Sequence, residues 1–310
     1  MRAGGIVCAA LMIGDAASAL PFTGDILVQS QTAGVLEYEI AEYQNGALLQ
    51  AIVPVQAPGS TDQWHPRDLV YDGMLRVYDG TFDPYLASYA PATGAWSYIT
   101  NPTWSTLNNV SYGGIASLGA KVFVTDMATA NRPGSGVVVF DRASGTSQSF
   151  AAGVQAIDLT LGLDGKLWVL DHQLTARAYD PSTYAFLGSV VFAVSGTIGS
   201  DVRSLAVDAS GHFYVASWDG FVAHLNPGGG LVKTLTIGGS LMDIDIAPDG
   251  RLVIGTRLDG AWLSDTSLSS AQQFTSGRWN YFVTFIPEPT TGALVALGLV
   301  LLGSRRRRTN

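Results

Sequence analysis

Apolar and polar positions alternate over short runs along most of the chain, and almost nowhere do they follow the 3.6-residue period of an amphipathic helix. The runs are rich in Val, Leu, Phe, Tyr and Trp and are broken by Gly, Asp, Asn and Pro, which is the composition of strands between tight turns. One pair of runs recurs: "RDLVYDGMLRVYD", "GGIASLGAKVFVTD", "IDLTLGLDGKLWVLD", "RSLAVDASGHFYVAS" and "MDIDIAPDGRLVIGT". Each reads as strand, turn, strand. The turn glycines are Gly73, Gly119, Gly165, Gly211 and Gly250, spaced 46, 46, 46 and 39 residues apart. Glycine suits these places because a tight hairpin needs positive φ, which a Cβ opposes.

Two more runs follow around a second turn, as in "SYAPATGAWSYI", "VVFDRASGTSQSF", "RAYDPSTYAFLGSV" and "AHLNPGGGLVKTL". Four strands in about 45 residues is the period of a β-propeller blade. The ends complete the count. "TGDILVQS" aligns, through Gly24, with a turn and a second strand that lacks a first; "RWNYFVTF" reads as a first strand with nothing after it. Closure should lay residues 280–285 beside "DILVQS", joining both termini in one blade and removing the open edge. The prediction is an all-β, six-bladed β-propeller over residues 20–286. A β-sandwich is the other reading of the same strands.

The two ends have a different pattern. In "MRAGGIVCAALMIGDAASALPF", Arg2, an apolar stretch and Ala17-Ser18-Ala19 stand in the order of a secretory signal peptide, assigned to residues 1–19. Cys8, the one cysteine of the 310 residues, lies inside it, so the body has no disulfide and no thiolate chemistry. Without Arg2, Asp15 and Arg305 to Arg308 the chain keeps 12 Lys and Arg against 24 Asp and Glu. A net charge near −12 argues against nucleic acid or an anionic membrane surface as partner.

At the other end, Pro287, Glu288 and Pro289 precede a short Gly/Leu/Val run and then Arg305, Arg306, Arg307 and Arg308. The run is short for a bilayer span of about 20 residues, and the arginines supply a positive-inside stop. A plain tail anchor fits these features. Their order also resembles the PEP-CTERM sorting signal, over residues 287–308. That resemblance implies processing by signal peptidase and an exosortase, transient anchoring in the inner membrane through a C-terminal transmembrane helix, and delivery to the cell surface or extracellular matrix. The body resembles the NHL and SMP-30-like six-bladed propellers in its "D-x-x-G-x-L/F-x-V" hairpins and "Y/F-D-P/R-x-T/G" turns.

Candidate chemistry falls in two groups. The loops at one face of such a ring gather Trp64, His65, Arg67, Trp104, Asn108, Asn109, His172, Trp218, Asp219, Arg278 and Trp279. An aromatic, polar rim suits stacking on sugars or docking a protein surface; half-buried tryptophans capping the sheets are the alternative. Asp68, Asp158 and Asp243 open the first strand of blades two, four and six, where blades three and five have Gly114 and Ser204. Converging carboxylates could hold Ca²⁺, or each could bond to amides near the strand start. The SMP-30-like lactonases carry a catalytic divalent metal in the channel, which makes a metal-dependent hydrolase the second functional reading. Asp79, Asp126, Asp171, Ser217 and Thr256 recur after the second strand and suit turns. The first functional reading is an exported, exosortase-sorted surface or matrix propeller that binds exopolysaccharide or surface proteins through its loop face, without catalysis.

Overall fold

Short apolar runs closed by Gly and Asp turns cannot bury both of their faces alone, and the chain solves this by stacking sheets side by side. A computed structural model describes residues 22–32, 38–54, 66–79, 85–100, 113–126, 136–194 and 201–287. The chain begins in blade one with β1 (Ile26–Thr32), β2 (Tyr38–Gln44) and β3 (Ala47–Ile52). Blade two holds β4 (Pro66–Tyr71), β5 (Leu75–Asp79), β6 (Tyr85–Ala90) and β7 (Ala95–Thr100). Blade three holds β8 (Ile115–Leu118), β9 (Lys121–Asp126), β10 (Gly136–Asp141) and β11 (Thr146–Phe150). Blade four holds β12 (Ala156–Leu161), β13 (Leu167–Asp171), β14 (Thr175–Tyr179) and β15 (Phe186–Val191). Blade five holds β16 (Val202–Val207), β17 (Phe213–Ser217), β18 (Phe221–Leu225) and β19 (Leu231–Thr236). Blade six holds β20 (Leu241–Ile246), β21 (Arg251–Thr256), β22 (Ala261–Asp265) and β23 (Ala271–Thr275), and β24 (Arg278–Phe285) returns to blade one.

Each blade is a four-stranded antiparallel sheet, and blade one has the order β24-β1-β2-β3. The expected closure is therefore observed, in the register Ile26↔Phe285 to Gln29↔Phe282. The five turn glycines all have positive φ, between 58° and 95°. Gly24 departs from the expectation. It is not in the positive-φ region, and its lack of a side chain answers a close approach instead: a Cβ would meet the Tyr43 carbonyl oxygen at 2.4 Å.

The apolar core is divided among the seams between blades. Successive residues of β13 show how. Leu167 and Val169 pack with Phe123 and Val139 of blade three, while Trp168 and Leu170 pack with Leu205 and Phe213 of blade five. Six such clusters, one per seam, make up the described core. The second strands β5, β13 and β17 are buried throughout because a neighbouring blade covers each face. Outer strands such as β11 and β15 keep only the inward neighbour and read as mostly exposed.

Candidate functional site

At one end of the ring the inner strands begin and the second strands finish. The register of four inner strands slips there, between Pro66 and Asp68, Ala156 and Asp158, Val202 and Ser204, and Leu241 and Asp243. A bulge inserts one residue and re-aims its neighbours. It leaves Arg67, Ile157, Arg203 and Met242 as the extra residues and turns the following side chain toward the next blade.

The three aspartates singled out from the sequence occupy that following position. Asp68 Oδ1 accepts the amide of Leu69 at 2.7 Å, and its Oδ2 accepts that of Ile115 in blade three at 2.8 Å. Asp158 Oδ2 accepts the Leu205 amide of blade five at 2.7 Å. Asp243 Oδ2 accepts the Val283 amide of β24 at 2.8 Å, and its Oδ1 takes the Ile244 amide and the Ser204 hydroxyl, both at 2.8 Å. These are latches from one inner strand to the next. The carboxylates bond to backbone amides, and no group of three His, Cys, Asp or Glu among the described residues is disposed to hold a metal ion.

Latching has an electrostatic consequence. Burial raises the carboxyl pKa of Asp68 and Asp158 well above the usual range, and the neighbouring acids add to the rise. Burial lifts Asp243 to about 6 despite the hydrogen bonds it accepts. Asp245, two residues along β20, is also raised by burial; its Oδ2 accepts the Phe285 amide at 2.9 Å and the Thr284 hydroxyl at 3.0 Å.

The described rim residues all lie at this strand-start end. Trp218 follows β17, with the Arg203 guanidinium 4.3 Å and the Arg257 guanidinium 5.1 Å from its ring centroid. Arg203 also pairs with Asp201 at 2.7 Å. Arg67 sits near enough to Arg203 for mutual repulsion, burial lowers its pKa, and its Nε is buried without an acceptor. Arg278 pairs with Glu39 at 2.9 Å, Trp279 is 39 % exposed, and His172 and Asp219 are exposed. Trp64, His65, Trp104, Asn108 and Asn109 lie outside the described residues, as do residues 1–19, Glu288, Pro289 and Arg305 to Arg308.

The residues after the second strands are turn formers, as expected. Asp171 Oδ1 accepts the Gln173 and Thr175 amides, and Thr256 Oγ1 donates to the Gly260 carbonyl. His212 and His224 meet at 2.7 Å between ring nitrogens, away from the rim. Arg203, Arg257 and Asp245 were not singled out from sequence. Arg203 had a signal, since it precedes Ser204 as Arg67 precedes Asp68 in the repeat.

This geometry defines a six-bladed β-propeller with latched inner strands. No family model matches the chain, and no curated protein matches it in sequence. Solved structures do match in fold. The chain is similar to TolB from Acinetobacter baumannii, with a TM-score of 0.63 and 13% identity over 86% of this chain and 68% of that one. It is also similar to a protein of unknown function from Bacteroides caccae, with a TM-score of 0.51 and 12% identity over 84% of this chain and 99% of the other. The Neurospora crassa Pan2 WD40 domain matches at a TM-score of 0.48 and 10% identity, over 84% and 80% of the two chains. At these identities the likeness concerns the fold alone.

Proposed function

We propose that this propeller is exported, sorted to the cell surface or extracellular matrix, and binds polysaccharide or a surface protein through its strand-start face. One observation supports the reading above the others. Both described ends of the chain leave from the opposite face: Phe22 packs its ring 5.5 Å from Tyr71, where β4 ends, and Pro287 follows β24 at that same end. A tail held in the inner membrane and then handed over by an exosortase would leave the face with Trp218 and Trp279 pointing outward. Trp279 offers an uncovered indole for stacking on a sugar, while the guanidinium groups over Trp218 favour an acidic partner such as a uronic-acid polymer.

The binding half is tested by retention on immobilised acidic exopolysaccharide, comparing the parent with Trp279→Ala and Arg257→Ala. Retention should fall in both, and unchanged retention would remove the rim from the reading. The sorting half is tested by Pro287→Ala with Glu288→Ala, which should leave export intact and block release from the inner membrane. Normal release would leave a plain exported propeller.

A further inference from the structure

The inner strands of the six blades enclose a cavity of about 740 Å³ that opens among the first turns, at the end opposite Trp218 and Trp279. Its wall is apolar, with Leu69, Ile115, Leu159, Leu161, Leu205 and Ile246. Its inner end carries Asp68, Asp158, Ser204 and Asp243, with Asp245 nearer the mouth and Asp72 and Asp249 at the lip. Among the lining residues the one basic group is Arg251, and it is already paired with Asp25 and with Asp249. The volume is that of a small-molecule site, which is usually apolar with a few convergent polar groups.

The occupant follows from what the lining would do to each class. An anion would meet three deep carboxyl groups with no cation beside them. A neutral hydrocarbon would strip water from those groups and return nothing. A carboxylate has about four acceptor sites, and the Leu69 and Ile115 amides use two of those on Asp68, so capacity remains for a donor in the lumen.

We propose that the cavity binds a small amphipathic amine, its hydrocarbon body in the apolar sleeve and its ammonium group against Asp68, Asp158 and Asp243. This is a second site, independent of the rim and of sorting. The titratable groups facing it are Asp68 on β4, Asp158 on β12, and Asp243 and Asp245 on β20, with Asp72, Asp249 and Arg251 at the lip; β8, β16 and β24 contribute Ser117, Ser204 and Thr284. Because burial has raised the deep aspartates, an arriving ammonium draws protons off them, and binding releases protons near neutral pH.

The test is titration calorimetry on the full chain with n-octylammonium, 1-octanol and octanoate, each in two buffers of different ionisation enthalpy. Octylammonium should bind about tenfold or more tightly than octanol, with proton release, and octanoate should not bind. Asp158→Asn keeps an oxygen for the Leu205 amide and should weaken octylammonium about tenfold while leaving octanol unchanged. Ser117→Trp fills the lumen and should abolish binding of both at an unchanged circular-dichroism spectrum. Equal binding of octanol and octylammonium overturns the proposal, as does undiminished binding by Ser117→Trp. Should either variant fail to fold, the three-probe comparison on the parent still decides.

Discussion

β24 and β8 hold the same inner place in their blades and are built to different standards. β24 has eight residues and β8 four. β24 is clasped on one side by the ladder to β1, and on the other by Asp243 and Asp245, which accept the amides of Val283 and Phe285 and the Thr284 hydroxyl. β8 receives one latch, from Asp68 to Ile115, and offers no carboxylate onward. At its start stands Gly114, where a Cβ would meet the Leu159 amide nitrogen at 2.3 Å and Asp158 Oδ1 at 2.4 Å. β24 must find β1 from the other end of the sequence, and directional hydrogen bonds offset the greater closure entropy. Between β8 and β12 close backbone contact takes the place of a carboxylate latch.

The largest test of that contrast is Val283→Pro. It removes the amide that Asp243 accepts and sets a proline ring in the closing strand, and should cost more than about 3 kcal/mol in urea unfolding. A milder result would mean that the closing strand depends little on its ties. Next is Gly114→Ala, expected to cost about 1 to 3 kcal/mol because the new methyl meets backbone that cannot yield. Gly119→Ala, at φ 58° with nothing within 4 Å, should cost about 1 kcal/mol or less. Equal losses at the two glycines would break the close-contact account of the seam between blades three and four.

A smaller effect should appear with pH. Asp243 titrates at about 6 in the fold, against about 4 in an unfolded chain. The folded state holds this proton more tightly, so the contribution is fully present below pH 4 and is lost as pH rises through 6. Asp243→Asn is neutral throughout. Between pH 4 and 7 its stability relative to the parent should move in its favour by about 2 kcal/mol, read from paired thermal melts. A constant difference would mean that Asp243 is not held protonated by its burial. The smallest effect is expected at Trp279→Ala, which sits on β24 but is 39 % exposed. It should change stability by less than about 0.5 kcal/mol, separating the closing role of the strand from any binding role of its outer end.

Much of the ring was legible in residues that repeat. Gly165 and Gly211 mark hairpins because a positive φ is a local demand, and the matching strands follow from an alternation visible over a few positions. The closure of 280–285 on β1 could be read too, since a blade missing one strand and a strand missing its blade leave one solution. The partners of Asp68, Asp158 and Asp243 in the next blade were not legible. Their partners Ile115, Leu205 and Val283 lie 47, 47 and 40 residues away, and an aspartate at a strand start looks alike whether it binds a cation or an amide. Gly24 shows the same limit from the other side: it looks like a turn glycine and serves a close approach to Tyr43.

The sequence by itself determined the blade period, the six-fold count and the way the ends meet, because turns and alternation are properties of neighbouring residues. Only the tertiary structure decided that the inner carboxylates are latches, that Arg203 and Arg257 lie over Trp218, and that the channel opens away from the rim. Each of these depends on which residues of different blades come to lie within about 3 to 5 Å of one another, a distance set by packing six sheets around one axis.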